Sequence, residues 1–183
     1  MVFSSVIFLF YFLPLFLLAF FASGRNKIVI LVFSLIFYAW GEPFYVLLMM
    51  SYIVVNFFFG LAIASAREKG GSRLILAIGC AVNLAPLIFF KYTNFLAETT
   101  AQLLDYSSPF AEINVLLPLG ISFYTFHCLS YLIDVHRGDT PVERNFLTLA
   151  VYISMFPQLV AGPIIRFKTI AGDLHHPVIN RSR

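Results

Sequence analysis

The sequence predicts an all-α, polytopic integral membrane protein, on two observations. Of the 183 residues, 60% are hydrophobic and 11% charged, with a strongly positive mean hydropathy, a balance that suits lipid rather than water as solvent. The charges also gather between apolar runs, which approach the roughly 20 residues needed to cross about 30 Å of hydrocarbon. The small net charge of +3 follows from basic connections and bears on orientation in a membrane, not on a nucleic-acid partner.

Residues 2–22 contain no charged side chain. They read as a retained first span, because no basic region precedes the apolar run as a signal peptide requires, and Pro14 is expected to kink it. A basic connection around Arg25 and Lys27 leads into a second span, 25–41, short unless those two side chains snorkel. Gly41, Glu42 and Pro43 end it, with Tyr38, Trp40, Phe44 and Tyr45 as interfacial aromatics around the turn. Residues 44–66 and 74–90 are the third and fourth spans, joined by the solvated REKGGSR loop. Each carries an interior amide, Asn56 and Asn83, read as glue between helices. Residues 95–104 are too short to span and read as a separate helix at the membrane surface.

The fifth span, 115–135, includes most of the segment LPLGISFYTFHCLSYLIDVHRGD (117–139). On a helix, Gly120, Tyr124, His127, Tyr131 and Asp134 recur at steps of four, three, four and three and share one face. Polar side chains are costly in hydrocarbon, so that face must meet protein or a water-filled cavity, while Phe126 and its neighbours meet lipid. His127 is expected to be a neutral imidazole hydrogen-bonded within the bundle, with proton transfer as the lesser alternative. Asp134 and Arg137 are expected to pair and fix the helix end.

Gly138 ends that helix, and Thr140, Pro141 and Glu143 have the spacing of a capping box that starts the next. Residues 146–165 are apolar, but Pro157, Gln158, Gly162 and Pro163 crowd the second half. This predicts a broken, re-entrant segment, tolerated at membrane depth only inside protein or along a cavity. Residues 166–183, from Arg166 through His175 and His176, read as a polar tail. Cys80 and Cys128 read as small core residues, and no metal-ligand spacing, phosphate loop or nucleophile elbow is present.

The ordered motifs FFKYTNF (89–95), LPLGISFYTF (117–126), SYLIDVHRGD (130–139) and FPQLVAGPIIRF (156–167), with MVFSS and FYAWGEP (37–43) before them, resemble the membrane-bound O-acyltransferase family. The resemblance is to the branch that O-acetylates alginate and similar exopolysaccharides. It implies a helical ring around a tunnel, through which an acyl group from a cytoplasmic donor, such as acetyl-CoA or another acyl thioester, reaches a polysaccharide hydroxyl outside. It also implies residence in the bacterial inner membrane among lipid, and cooperation with periplasmic acetyltransferase partners. The family's catalytic histidine lies beyond the matched motifs, so no catalytic residue is expected within this chain, His127 being the residual candidate. The segment would then supply scaffold and tunnel wall: Tyr124, His127, Tyr131, Asp134 and Arg137 from the stripe, Pro157, Gln158, Gly162, Pro163 and Arg166 from the broken segment.

D-alanyl or other acyl transfer to a cell-wall polymer is the alternative chemistry. A non-catalytic scaffold or transporter subunit is the alternative of another class. The distribution of Lys and Arg places the N-terminus outside: Arg25, Lys27, Arg67, Lys69, Arg73, Arg137 and Arg144 then face the cytoplasm and Lys91 does not.

Overall fold

A computed structural model describes residues 5–67, 70–103, 116–159 and 165–175. These residues form helices and no strands, as the composition predicts: α1 (Leu13–Ala22), α2 (Lys27–Gly41), α3 (Tyr45–Arg67), α4 (Ser72–Leu103), α5 (Ile121–Arg137), α6 (Phe146–Ser154), α7 (Phe156–Leu159) and α8 (Phe167–His175). Of these, α3 and the Ser72–Thr93 part of α4 are long and apolar enough to cross a membrane. Phe10, Leu18, Phe44, Leu47 and Leu74 are all well exposed, an outer surface suited to lipid.

A π-helical turn, Phe8–Phe12, precedes α1. Pro14 lacks an N–H and its ring crowds the carbonyl four residues back, so a change of helical register just before it is a physical answer to the expected kink. Phe8 and Phe12 then join Phe37 and Phe156 in an aromatic cluster with ring centroids 5.6–6.1 Å apart.

The centre of the bundle is α3, α4 and α5 packed on one another. The two interior amides meet there: Asn56 Nδ2 donates to Asn83 Oδ1 (2.7 Å) and Asn83 Nδ2 to Asn56 Oδ1 (2.9 Å). Each amide also donates to the carbonyl four residues back, Tyr52 (2.8 Å) and Gly79 (2.7 Å). Close approach of α3 to α5 depends on Gly60, where a Cβ would lie 2.5 Å from Tyr131 Oη.

Several expectations are corrected. Residues 95–103 are no separate surface helix but continue α4, since Lys91, Tyr92, Thr93 and Asn94 are polar without breaking a helix. At about 1.5 Å per residue, the 32 residues of α4 outrun the hydrocarbon. The fifth helix starts at Ile121, not at the expected beginning of the span. Gly120 stands at its N-cap with φ +73°, a left-handed conformation suited to glycine, so it belongs to the turn and not to the helical stripe. Tyr38 is fully buried and no interfacial residue.

The capping box does not form. Residues 141–145 are non-helical, Glu143 N–H donates to Tyr131 Oη (3.2 Å), and Glu143 Oε1 accepts from Asn145 N–H (2.8 Å). Asn145 is the actual cap of α6, its Oδ1 accepting from Leu147 N–H (2.9 Å). Finally, the beginning of the polar tail is ordered helix: Phe167 is buried between Tyr131 and Tyr152, 5.2 and 5.1 Å between centroids, and Ile170 and Ala171 pack on the core.

Candidate functional site: the polar face of α5 and the broken segment

The buried side of α5 carries Tyr124, His127, Tyr131 and Asp134, and Phe126 on the opposite side is 44% exposed. The face assignment from spacing therefore matches the packing. Tyr124 sits edge-on to Tyr52 (4.9 Å) and Tyr38 (6.5 Å). The Tyr38 and Tyr124 hydroxyls are both buried without a hydrogen-bond partner among the described residues. Thr125, one residue on, donates its hydroxyl to Tyr52 Oη (3.3 Å), and Tyr52 donates in turn to the Asn83 carbonyl (2.7 Å).

His127 is fully buried, its ring 5.2 Å from that of Tyr152, and neither ring nitrogen has a hydrogen-bond partner among the described residues. It is buried in the bundle as expected, but by ring packing rather than by hydrogen bonds. His175 ends α8, and His176 lies outside the described residues.

The expected Asp134–Arg137 ion pair is absent. Among the described residues the ion pair is Lys168–Asp139 (3.8 Å), while Asp134 is 2% exposed with Oδ2 unpartnered. Arg137 turns outward, and Arg67 takes the helix end instead: its Nη1 donates to the Val135 carbonyl (3.4 Å) and passes beside Gly138. Asp134, Arg137 and Arg166 line a groove of about 480 Å³ with Phe126, Leu129 and Ile133.

The apolar segment after Asn145 is broken. Nine helical residues, α6, rise only about 14 Å, less than half a bilayer core. Met155 then turns extended (φ −53°, ψ 112°). A break there spares the chain the lost bond and carbonyl clash that Pro157 would cause in a continuous helix. The freed Phe156 N–H donates to Ser34 Oγ (3.3 Å), so the irregular backbone is satisfied inside protein, as membrane depth demands. Pro157 is exposed in α7, and Gln158 is half-buried with Oε1 unpartnered among the described residues. Gly162 and Pro163 lie outside the described residues.

Where the chain resumes, the Ile165 carbonyl accepts from Tyr152 Oη (3.0 Å), and Lys168 meets Asp139. Residues 165–168 are thus back beside the end of α5 near which α6 began. Lys27 joins the same region by donating from Nζ to Thr148 Oγ1 (3.0 Å). Sequence reasoning missed Tyr52, Tyr152, Ser34 and Thr148, which partner this face. A tyrosine or hydroxyl in an otherwise apolar run was the available signal, because such groups seek a partner when buried. Among the described residues no group of His, Cys, Asp or Glu has the arrangement of a metal site.

Together these features define a polytopic helical membrane protein with a buried polar helix beside a broken segment. The chain is 41% identical over 182 residues to the probable alginate O-acetylase of Pseudomonas aeruginosa, covering 96% of this chain and 35% of that protein. The corresponding protein of Azotobacter vinelandii is 40% identical, with 96% and 36% covered. The peptidoglycan O-acetyltransferase of Helicobacter pylori is 33% identical, with 90% and 37% covered. The resemblance to the polysaccharide-acetylating branch thus holds along almost the whole chain, which spans about a third of the length of these relatives. No family model and no solved structure matches it.

Proposed function

We propose that these residues form scaffold and tunnel wall of a membrane-bound O-acetyltransferase that moves an acetyl group from a cytoplasmic thioester, such as acetyl-CoA, to an exported polysaccharide. The similarity to proteins named alginate O-acetylases carries the reading, and the buried stripe beside a broken segment is the geometry it calls for. Alginate is the favoured acceptor because those relatives stand at 40–41% identity against 33% for the peptidoglycan enzyme. Periplasmic partner proteins and the bacterial inner membrane belong to the same proposal.

The chemistry requires a base within hydrogen-bond reach of the acceptor hydroxyl and donors for the oxyanion. We assign neither role to His127, whose ring packs tilted against that of Tyr152. Residues 1–183 expressed alone should therefore transfer no labelled acetyl group to exported polysaccharide, and co-expression with the remainder of a full-length relative should restore transfer. Removing a general base commonly costs about a hundred- to ten-thousand-fold in rate, which makes the difference easy to read. Transfer by the short chain alone, abolished by His127→Ala, would overturn the proposal and make His127 the base.

The orientation follows from charge. Contacts gather Lys27, Arg67 and Lys168 at one end, while Lys91 lies some 28 Å along α4 from Ser72 at about 1.5 Å per residue. By the positive-inside rule we propose that this basic end is cytoplasmic, with the N-terminus outside and the segment after Asn145 re-entrant. A Lys168→Cys variant should react with a membrane-impermeant thiol reagent only from the cytoplasmic side. Labelling from outside alone would sink the re-entrant reading.

A further inference from the structure

We propose that the groove between α5 and residue 166 binds an anionic phospholipid of the surrounding membrane, its phosphodiester held by Arg137 and Arg166. The groove is graded along the helix. Phe126, Leu129 and Ile133 supply an apolar wall, and Asp134, Arg137 and Arg166 a charged end. From Phe126 to Arg137 is about 16 Å of rise, enough to follow a lipid from mid-chain to phosphate. A free inorganic anion or a soluble nucleotide would have no use for the apolar side chains, three of the seven residues that line the groove.

The charge count selects the headgroup. Neither guanidinium makes an ion pair with a described carboxylate, and both side chains are exposed. Asp134, 2% exposed with Oδ2 unpartnered among the described residues, lies at the same end. Two cations and one carboxylate leave a net charge of +1, which a phosphodiester monoanion neutralises and a zwitterionic headgroup does not. Guanidinium groups suit phosphate because they present paired donors at fixed geometry. One guanidinium comes from the end of α5 and the other from the chain returning out of the broken segment, so the lipid would clasp these two parts together at the basic rim.

The test is native mass spectrometry of the chain released from micelles containing equal amounts of phosphatidylglycerol and phosphatidylcholine. The wild-type chain should retain phosphatidylglycerol preferentially. Arg137→Gln/Arg166→Gln should lower that retention about tenfold, the scale of one to two charge-assisted hydrogen bonds, whereas Arg144→Gln, outside the groove, should not. Arg166→Lys should fall between, keeping charge and losing the paired donors. Asp134→Asn should strengthen retention by removing the opposing charge. Because both arginines are exposed, the variants should melt with the wild type in lipid-free detergent, which separates lost binding from lost folding. Equal retention by the double variant, no preference over phosphatidylcholine, displacement by millimolar inorganic phosphate, or weaker retention by Asp134→Asn would each overturn the proposal. The last would point to an amine-bearing headgroup.

Discussion

The amide pair between α3 and α4 and the polar face of α5 bury hydrogen-bonding groups a few turns apart and treat them in opposite ways. Asn56 and Asn83 are saturated: each Nδ2 donates once across the interface and once along its own helix, and each Oδ1 accepts once. Around His127 the matching is incomplete: both imidazole nitrogens and Asp134 Oδ2 are buried without a hydrogen-bond partner among the described residues. Saturated amides hold helices together in a low-dielectric interior. An unmatched set contributes little to holding them and costs free energy where it lies. The first arrangement is architecture, and the second leaves buried polar groups whose partners are not among the described residues.

The largest expected effect is on the saturated side. Asn83→Leu removes the donor to Asn56 Oδ1 and orphans that oxygen while filling a similar volume; Asn56 Nδ2 loses one of its two acceptors and keeps the Tyr52 carbonyl. Orphaned buried groups cost about 1–3 kcal/mol in water-soluble proteins, and interhelical hydrogen bonds in membranes are worth at most about 1.7 kcal/mol. A loss of about 1–2 kcal/mol is therefore expected. It would be measured by detergent-induced unfolding followed through the fluorescence of Trp40, the single tryptophan. Asn56→Leu/Asn83→Leu should recover most of it, since removing both partners leaves no orphan. A double variant no better than the single would show that the pair is not an independent unit.

The same contrast explains what could be read from the chain. Asn56, Asn83 and the α5 stripe were legible because polar groups in apolar runs are rare and their spacing places them on a helix face. The break near Pro157 was legible because proline breaks helices by a local rule. Long-range contacts were not. Glu143 has the spacing of a capping box, but Tyr131, twelve residues back, takes its N–H, and the helix starts at Asn145 instead. Likewise Arg67, 68 residues before Val135, caps α5 where a local Asp134–Arg137 pair was expected. Phe167 looked like the start of a polar tail because the residues it packs on, Tyr131 and Tyr152, are distant in sequence.

The smaller effect, on the unmatched side, sharpens the comparison most. His127→Leu removes an imidazole that is fully buried and has no described hydrogen-bond partner, so no group is orphaned by the change. The replacement is of similar bulk and keeps an apolar surface against the Tyr152 ring, now 5.2 Å from the imidazole. What disappears is the cost of holding two unpaired ring nitrogens away from water, a term of about 1–3 kcal/mol by the mutational scale, offset by imperfect fit of the new side chain. Stability should therefore hold or rise by up to about 1 kcal/mol, in the same Trp40 assay that shows the Asn83→Leu loss. Insertion into membranes should also be unchanged, whereas Phe126→Asp, on the exposed face of the same helix, should impair it strongly. A loss of stability for His127→Leu comparable to that for Asn83→Leu would mean that His127 is hydrogen-bonded after all. The contrast between a saturated and an unmatched half of the bundle would then fail.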